Sequence, residues 1–68
     1  MSWVEVDARG LRCPWPALRL ARAFRQGAQN VRLRADDPAA PGEIAALAAE
    51  RGWRLHRDGE DFLIEGQQ

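Results

Sequence analysis

The chain has 68 residues, ten arginines balanced by ten acidic side chains, no lysine or tyrosine, and a single cysteine and histidine. Zero net charge argues neither for nucleic acid nor for a membrane surface as partner, and the missing lysine removes Schiff-base and lysine-base chemistry. One Cys and one His fall short of a tetrahedral metal set, so no metal or cofactor is expected, and one thiol cannot form an internal disulfide.

A chain of this size buries only about 60% of its unfolded surface, enough for one domain spanning residues 1–68. Met1-Ser2-Trp3-Val4-Glu5 lacks the basic-then-apolar order of a signal peptide, and a lone thiol fits a reducing compartment. No apolar run approaches the ~20 residues that span a bilayer. The expectation is a cytoplasmic protein without a membrane segment.

Trp3-Val4-Glu5-Val6-Asp7 alternates and predicts a short strand, with Val4 and Val6 on one face. Ala8-Arg9-Gly10-Leu11-Arg12 is a connection in which Gly10 is free to take a positive φ. A helix is predicted from Pro14 to about Gln26. Ala17, Leu20, Ala21 and Phe24 make its apolar stripe, Leu18 widens it, and Arg19, Arg22 and Arg25 face water. Gly27 supplies the stop. Asn30–Ala35 reads as a strand with Val31, Leu33 and Ala35 inward and Arg32 and Arg34 outward.

Asp36-Asp37-Pro38 leads into a second helix that begins between Pro38 and Gly42 and runs to Arg51, with Ile44, Leu47 and Ala48 buried. Asp36 and Asp37 are expected to cap it. Gly52 ends it. Trp53–Arg57 and Asp61–Glu65 are strands joined by the hairpin signal Asp58-Gly59-Glu60. Gly66-Gln67-Gln68 reads as a frayed tail. The order β-α-β-α-β-β predicts a two-layer α/β (α+β) sandwich: a four-stranded mixed sheet with two helices packed on one face. Arg32, Arg34, Arg54 and His56 are left on the open face.

The chemistry centres on Cys13. Pro14 suits a first helical position, which makes Cys13 the expected N-cap, at the positive end of the helix dipole beside unpaired amides. That placement and the neighbouring Arg12 are expected to favour the thiolate, the reactive form. Pro14 and Pro16 stiffen the first turn and lack N–H groups, leaving the remaining donors for the sulfur. Trp15 lies off the stripe and is a candidate docking contact beside the cysteine. Arg9, Arg12, Arg19 and Arg22 form a candidate positive collar that would steer an acidic partner. No resolving thiol accompanies Cys13, which argues against a disulfide-exchange oxidoreductase, and no general base stands near it in the sequence.

Asp7-Ala8-Arg9-Gly10-Leu11-Arg12-Cys13-Pro14-Trp15-Pro16 resembles the Cys-Pro-x-Pro signature of the TusA (SirA-like) small sulfur-carrier proteins. The likeness continues through Ala35-Asp36-Asp37-Pro38-Ala39 and the C-terminal hairpin. It implies the same two-layer architecture. It further implies that Cys13 accepts sulfane sulfur as a persulfide and relays it to a partner, as a carrier rather than an independent multiple-turnover enzyme. The implied donor is a cysteine desulfurase or rhodanese-type enzyme. The implied acceptor serves tRNA thiolation, molybdenum-cofactor assembly or sulfur oxidation. The resemblance also puts Asp36 in a loop on the cysteine side of the sheet that takes part in partner contact. Some relatives carry an acidic residue where this chain has Trp15, which bears on partner choice. The competing expectation is a non-catalytic module that binds protein or RNA through the arginines of the open face; the absence of exposed aromatic pairs weighs against its RNA form.

Overall fold

A computed structural model describes residues 3–66. In chain order the elements are β1 (Val4–Asp7), α1 (Trp15–Arg25), β2 (Asn30–Arg34), α2 (Ala40–Arg51), β3 (Arg54–Asp58) and β4 (Asp61–Glu65). The strands form one mixed sheet in the order β1-β2-β4-β3. β1 runs parallel to β2, as the intervening helical crossover requires, while β4 is antiparallel to both β2 and β3. The expected order and two-layer α+β architecture are those observed.

The register explains which face is covered. Val4, Val31, Ile64 and Leu55 align across the four strands, and Val6, Leu33 and Phe62 form the next inward row. Val31, Leu33, Phe62 and Ile64 are buried in the two central strands. Leu20 and Ala23 of α1 and Ala40 and Ile44 of α2 close over them, with Ala8. Each fully buried Val, Leu, Ile or Phe contributes about 1.5–3 kcal/mol relative to exposure, so this small cluster carries most of the stability of so short a chain. Phe24 stacks on Trp53 at 4.0 Å between ring centres, sealing the end of the sandwich.

Several details depart from expectation. Ala23 lies in the buried stripe of α1, whereas Leu18 is 48% exposed. Leu18 lies on the flank of α1 beyond the edge strand β1, where no sheet remains to cover it. Gly27, at φ 105, ends α1 as predicted: its own N–H reaches the Phe24 carbonyl and that of Ala28 reaches Ala23, both at 3.1 Å. Asp36 and Asp37 do not cap α2; its N-cap is Ala39, with no side-chain cap bond. Asp37 instead accepts the Ala39 N–H at 3.0 Å, and Asp36 is used elsewhere. Strand β3 starts one residue later than expected because Trp53 turns inward to meet Phe24. Gly66 is not frayed: its N–H donates to the Gln29 carbonyl at 2.7 Å. Gln67 and Gln68 lie outside the described residues.

The open face is not an arginine surface. The rows Glu5–Arg32–Leu63–His56, Asp7–Arg34–Asp61–Asp58 and Asn30–Glu65–Arg54 lie there. Five carboxylates (Glu5, Asp7, Asp58, Asp61 and Glu65) thus outnumber Arg32, Arg34 and Arg54. The Arg32 guanidinium donates to Asp61 at 2.8 Å and to Asp58 at 2.9 Å, and Arg34 stands 3.6 Å from Asp61. His56 stands 3.9 Å from Glu65. With Arg32 and Arg34 held by carboxylates and carboxylates in excess, this face is a poor match for a phosphate backbone, which weighs against the RNA-binding expectation.

Candidate functional site

The site is the connection between β1 and α1. Ala8 continues the β1–β2 ladder, its N–H donating to the Arg34 carbonyl at 2.7 Å. The chain then reverses at Ala8–Leu11, where the Leu11 N–H reaches the Ala8 carbonyl at 3.2 Å and Gly10 takes φ 83. A positive φ at the third position is the type II requirement, which glycine meets without strain. The Gly10 N–H donates to the Asp36 carboxylate at 2.9 Å, tying the β1–α1 connection to the β2–α2 connection. Asp36 therefore holds the loop that carries Cys13.

Cys13 is a free, half-buried thiol joined to Pro14 by a cis peptide bond. Pro14, not Cys13, is the N-cap of α1, with Trp15 and Pro16 opening the helix. The cysteine thus stands one residue outside the expected position. Pro16 is fully buried beneath the turn and Trp15 is 57% exposed. The first turn offers fewer donors than expected. Pro14 and Pro16 have no N–H, and that of Trp15 is taken by the Arg12 carbonyl at 2.8 Å. The Ala17 amide is left.

The electrostatics of the thiol run opposite to the sequence expectation. Burial pushes the Cys13 thiol up, and the carboxylates of Glu43 and Asp37 push it further, with Glu43 also favouring the protonated form as a hydrogen-bond acceptor. The charges that act on the sulfur are negative, so they oppose the thiolate. α2 packs against α1, which brings its first turn, with Glu43, beside a residue thirty positions earlier. No motif around Cys13 signals this neighbour.

The expected collar divides. Arg9 is committed to Asp7, donating from Nε at 2.9 Å and from a terminal nitrogen at 2.8 Å. This bidentate pair holds the Asp7 carboxyl well below the usual range, the side-chain hydrogen bonds being the largest cause. Arg9 lines a small cleft with Arg34, Asp36 and Asp61, on the side of the sheet away from the helices. Arg12 is exposed beside the cysteine. Arg19 and Arg22 line a separate groove with Trp15. Among the described residues no group of three His, Cys, Asp or Glu is placed to hold a metal ion.

The profile of the Sulfurtransferase TusA family matches residues 4–65. The chain belongs to the TusA sulfurtransferase family. The match runs from the first residue of β1 to the last of β4, so the whole sandwich is the family's unit of similarity. No curated protein matches the chain closely enough to serve as a relative. Membership of the TusA family makes this a sulfur-carrier protein of the sulfurtransferase type, which works in a relay between donor and acceptor proteins. None of its helices is long and apolar enough to cross a membrane among the described residues.

Proposed function

We propose that the 68 residues form a single sulfur-carrier domain in which Cys13 bears the cargo as a persulfide. The reading is carried by one observation: the only thiol of a TusA-family chain sits free and half-buried in the Cys-Pro-Trp-Pro turn at the start of α1. In the transfer, the Cys13 sulfur attacks the outer sulfur of a persulfide on a donor enzyme. A new S–S bond forms at Cys13, the donor's S–S bond breaks, and the donor cysteine leaves with the electron pair and takes up the proton that Cys13 releases. Thiol and persulfide exchange places, so no external oxidant or reductant is consumed. The second transfer, to the acceptor, is the same exchange with Cys13 as donor.

The raised thiol pKa gives this carrier a particular character. In the unloaded carrier Glu43 and Asp37 disfavour the Cys13 thiolate, and a donor that offsets them on docking makes the sulfur a better nucleophile. Arg12 and Trp15 stand beside the cysteine for that contact, and Asp36 keeps the loop in place for it. The donor is of the cysteine desulfurase or rhodanese type, and the acceptor serves tRNA thiolation, molybdenum-cofactor assembly or sulfur oxidation in a reducing, cytoplasmic setting.

The test is mass spectrometry of the intact protein after incubation with a cysteine desulfurase and cysteine, or with a rhodanese and thiosulfate. One added sulfur atom on Cys13, removed by a thiol reductant and absent from a folded Cys13→Ser protein, is the expected result. A Cys13 that stays unmodified with every donor, under conditions where the donors are themselves loaded, overturns the assignment.

A further inference from the structure

The flank of the sandwich beside β1 has features that the sulfur chemistry does not use. Among the described residues β1 ends the sheet, and the outer backbone edge of Val4–Asp7 has no neighbouring strand. Natural edge strands are normally blunted by charge, proline or a covering loop, because free N–H and C=O groups invite another strand. Here the charged residues, Glu5 and Asp7, lie on the open face, while the helix-side face of the edge carries Val4, which is 42% exposed, beside a groove of about 730 Å³. Val4, Val6, Ala23 and Ala28 contribute its apolar surface, with the exposed Trp15 and Leu18. Val4, Trp15 and Leu18 together leave apolar surface on this flank for a partner to cover.

The charge of the groove is one-sided. Its charged lining residues are Arg19, Arg22 and Arg25, with no carboxylate among them. Among the described residues none of the three enters an ion pair, in contrast to Arg9, Arg32 and Arg34. The sequence accounts for this: residues 8–35 contain seven of the ten arginines and no Asp or Glu, although the chain as a whole is neutral. A neutral protein thus presents one uncompensated cationic flank, and α1 supplies it.

We propose that an extended, acidic segment of a partner protein adds to the free edge of β1, with the side chains that face α1 including both apolar groups, over Val4, Val6 and Leu18, and carboxylates, toward Arg19, Arg22 and Arg25. A fifth strand would lie about 4.7–4.9 Å beyond β1, and its inward side chains would point at the exposed flank of α1. Four residues of β1 set the pairing length, and main-chain hydrogen bonds would supply affinity while the groove selects side chains. A protein strand fits better than RNA, which cannot pair with strand amides and would meet one exposed aromatic, Trp15. It fits better than a membrane because the apolar surface is recessed between a strand and a helix. Trp15 joins this groove to the Cys13 turn, so the segment would belong to a partner in the relay proposed above, and that biological setting rests on the reading of Cys13. The binding does not.

The test uses Cys13→Ser protein, so that failed sulfur chemistry cannot be mistaken for failed docking. The ¹⁵N-labelled protein is titrated by NMR with the blocked heptapeptide Thr-Glu-Thr-Val-Thr-Glu-Thr, whose Glu and Val side chains share one face of an extended strand. Shifts should concentrate on the Val4–Asp7 amides and the Trp15 indole N–H. Affinity should fall about tenfold or more in Arg19→Glu/Arg22→Glu and when Lys replaces Glu in the peptide. Should the double charge reversal disturb folding, Arg19→Gln/Arg22→Gln carries the same test with a smaller loss. A peptide N-methylated on alternate residues should not bind. Shifts remote from β1, equal binding of the N-methylated peptide, or binding of anionic vesicles or poly-uridine at these arginines where the peptide fails would each overturn the proposal.

Discussion

Replacing Asp36 separates a structural role from a partner-binding one. Its carboxylate accepts the Gly10 N–H at 2.9 Å across 26 residues of sequence, and this bond ties the two connections that flank the cysteine. Asp36→Ala removes the acceptor and leaves the exposed amide to water. A hydrogen bond of this kind contributes about 0.5–1.5 kcal/mol net, and solvent access places this one near 1 kcal/mol. For a domain of 60–100 residues, 1 kcal/mol lowers Tm by about 4–8 °C. Asp36→Asn keeps an oxygen in the same position and discards only the charge, so its Tm should stay within about 2 °C of the parent. The same bond positions the turn before Cys13. If sulfur acceptance requires the held turn, Asp36→Ala slows transfer by up to about fivefold, on the scale where 1.36 kcal/mol is tenfold. Thermal unfolding followed by circular dichroism, together with the rate of sulfur acceptance from a loaded donor, measures both. A Tm for Asp36→Ala equal to that of the parent refutes the tether. Equal loss of transfer in the Asn and Ala variants, with stability unchanged in the Asn variant, refutes the view that Asp36 acts by geometry rather than by its charge toward a partner.

Glu43→Gln removes the negative charge with the larger effect on the thiol, so the pH midpoint of Cys13 alkylation by iodoacetamide should move down; Asp37→Asn should move it the same way by less. A midpoint that stays or rises would show that the carboxylates are not what holds the proton. The Asp7 pKa is depressed in the folded protein by Arg9, so its contribution is complete above the unfolded value of about 3.9 and is lost as pH falls below it. Asp7→Asn should therefore flatten the decline in stability below about pH 4, read by chemical denaturation at a series of pH values. Superimposable acid limbs for parent and variant would count against the pair.

The sequence was a reliable guide wherever a local pattern is enforced by the core. Val31 and Leu33 alternate because β2 lies in the middle of the sheet with one face covered, and that strand appears where the alternation put it. Gly27 and Gly52 end the helices because a positive φ there is cheap only for glycine. The pattern misled where an element reaches the rim. Leu18 has helical spacing and still faces solvent, since the sheet runs out at β1.

At the site, the chain itself announces the cysteine, its prolines and the turn at Gly10, because these are neighbours along the backbone. Asp36 is visible in the sequence as a loop carboxylate, yet its partner is not, and it turned out to grip Gly10 rather than cap α2. The reversal at Cys13 was beyond reach. A reading confined to neighbouring residues weighs Arg12 and the helix dipole, whereas the ionisation of a half-buried thiol depends on whatever lies within a few ångströms in space. Sequence alone determined the order of the elements, the family signature and the single available nucleophile, since each is written in local periodicity or in residue type. The packing of α2 on α1 turned the electrostatics against the thiolate of that nucleophile by bringing Glu43 near it, and the end of the sheet at β1 left Arg19, Arg22 and Arg25 on an open flank, because charges interact through space and not along the chain.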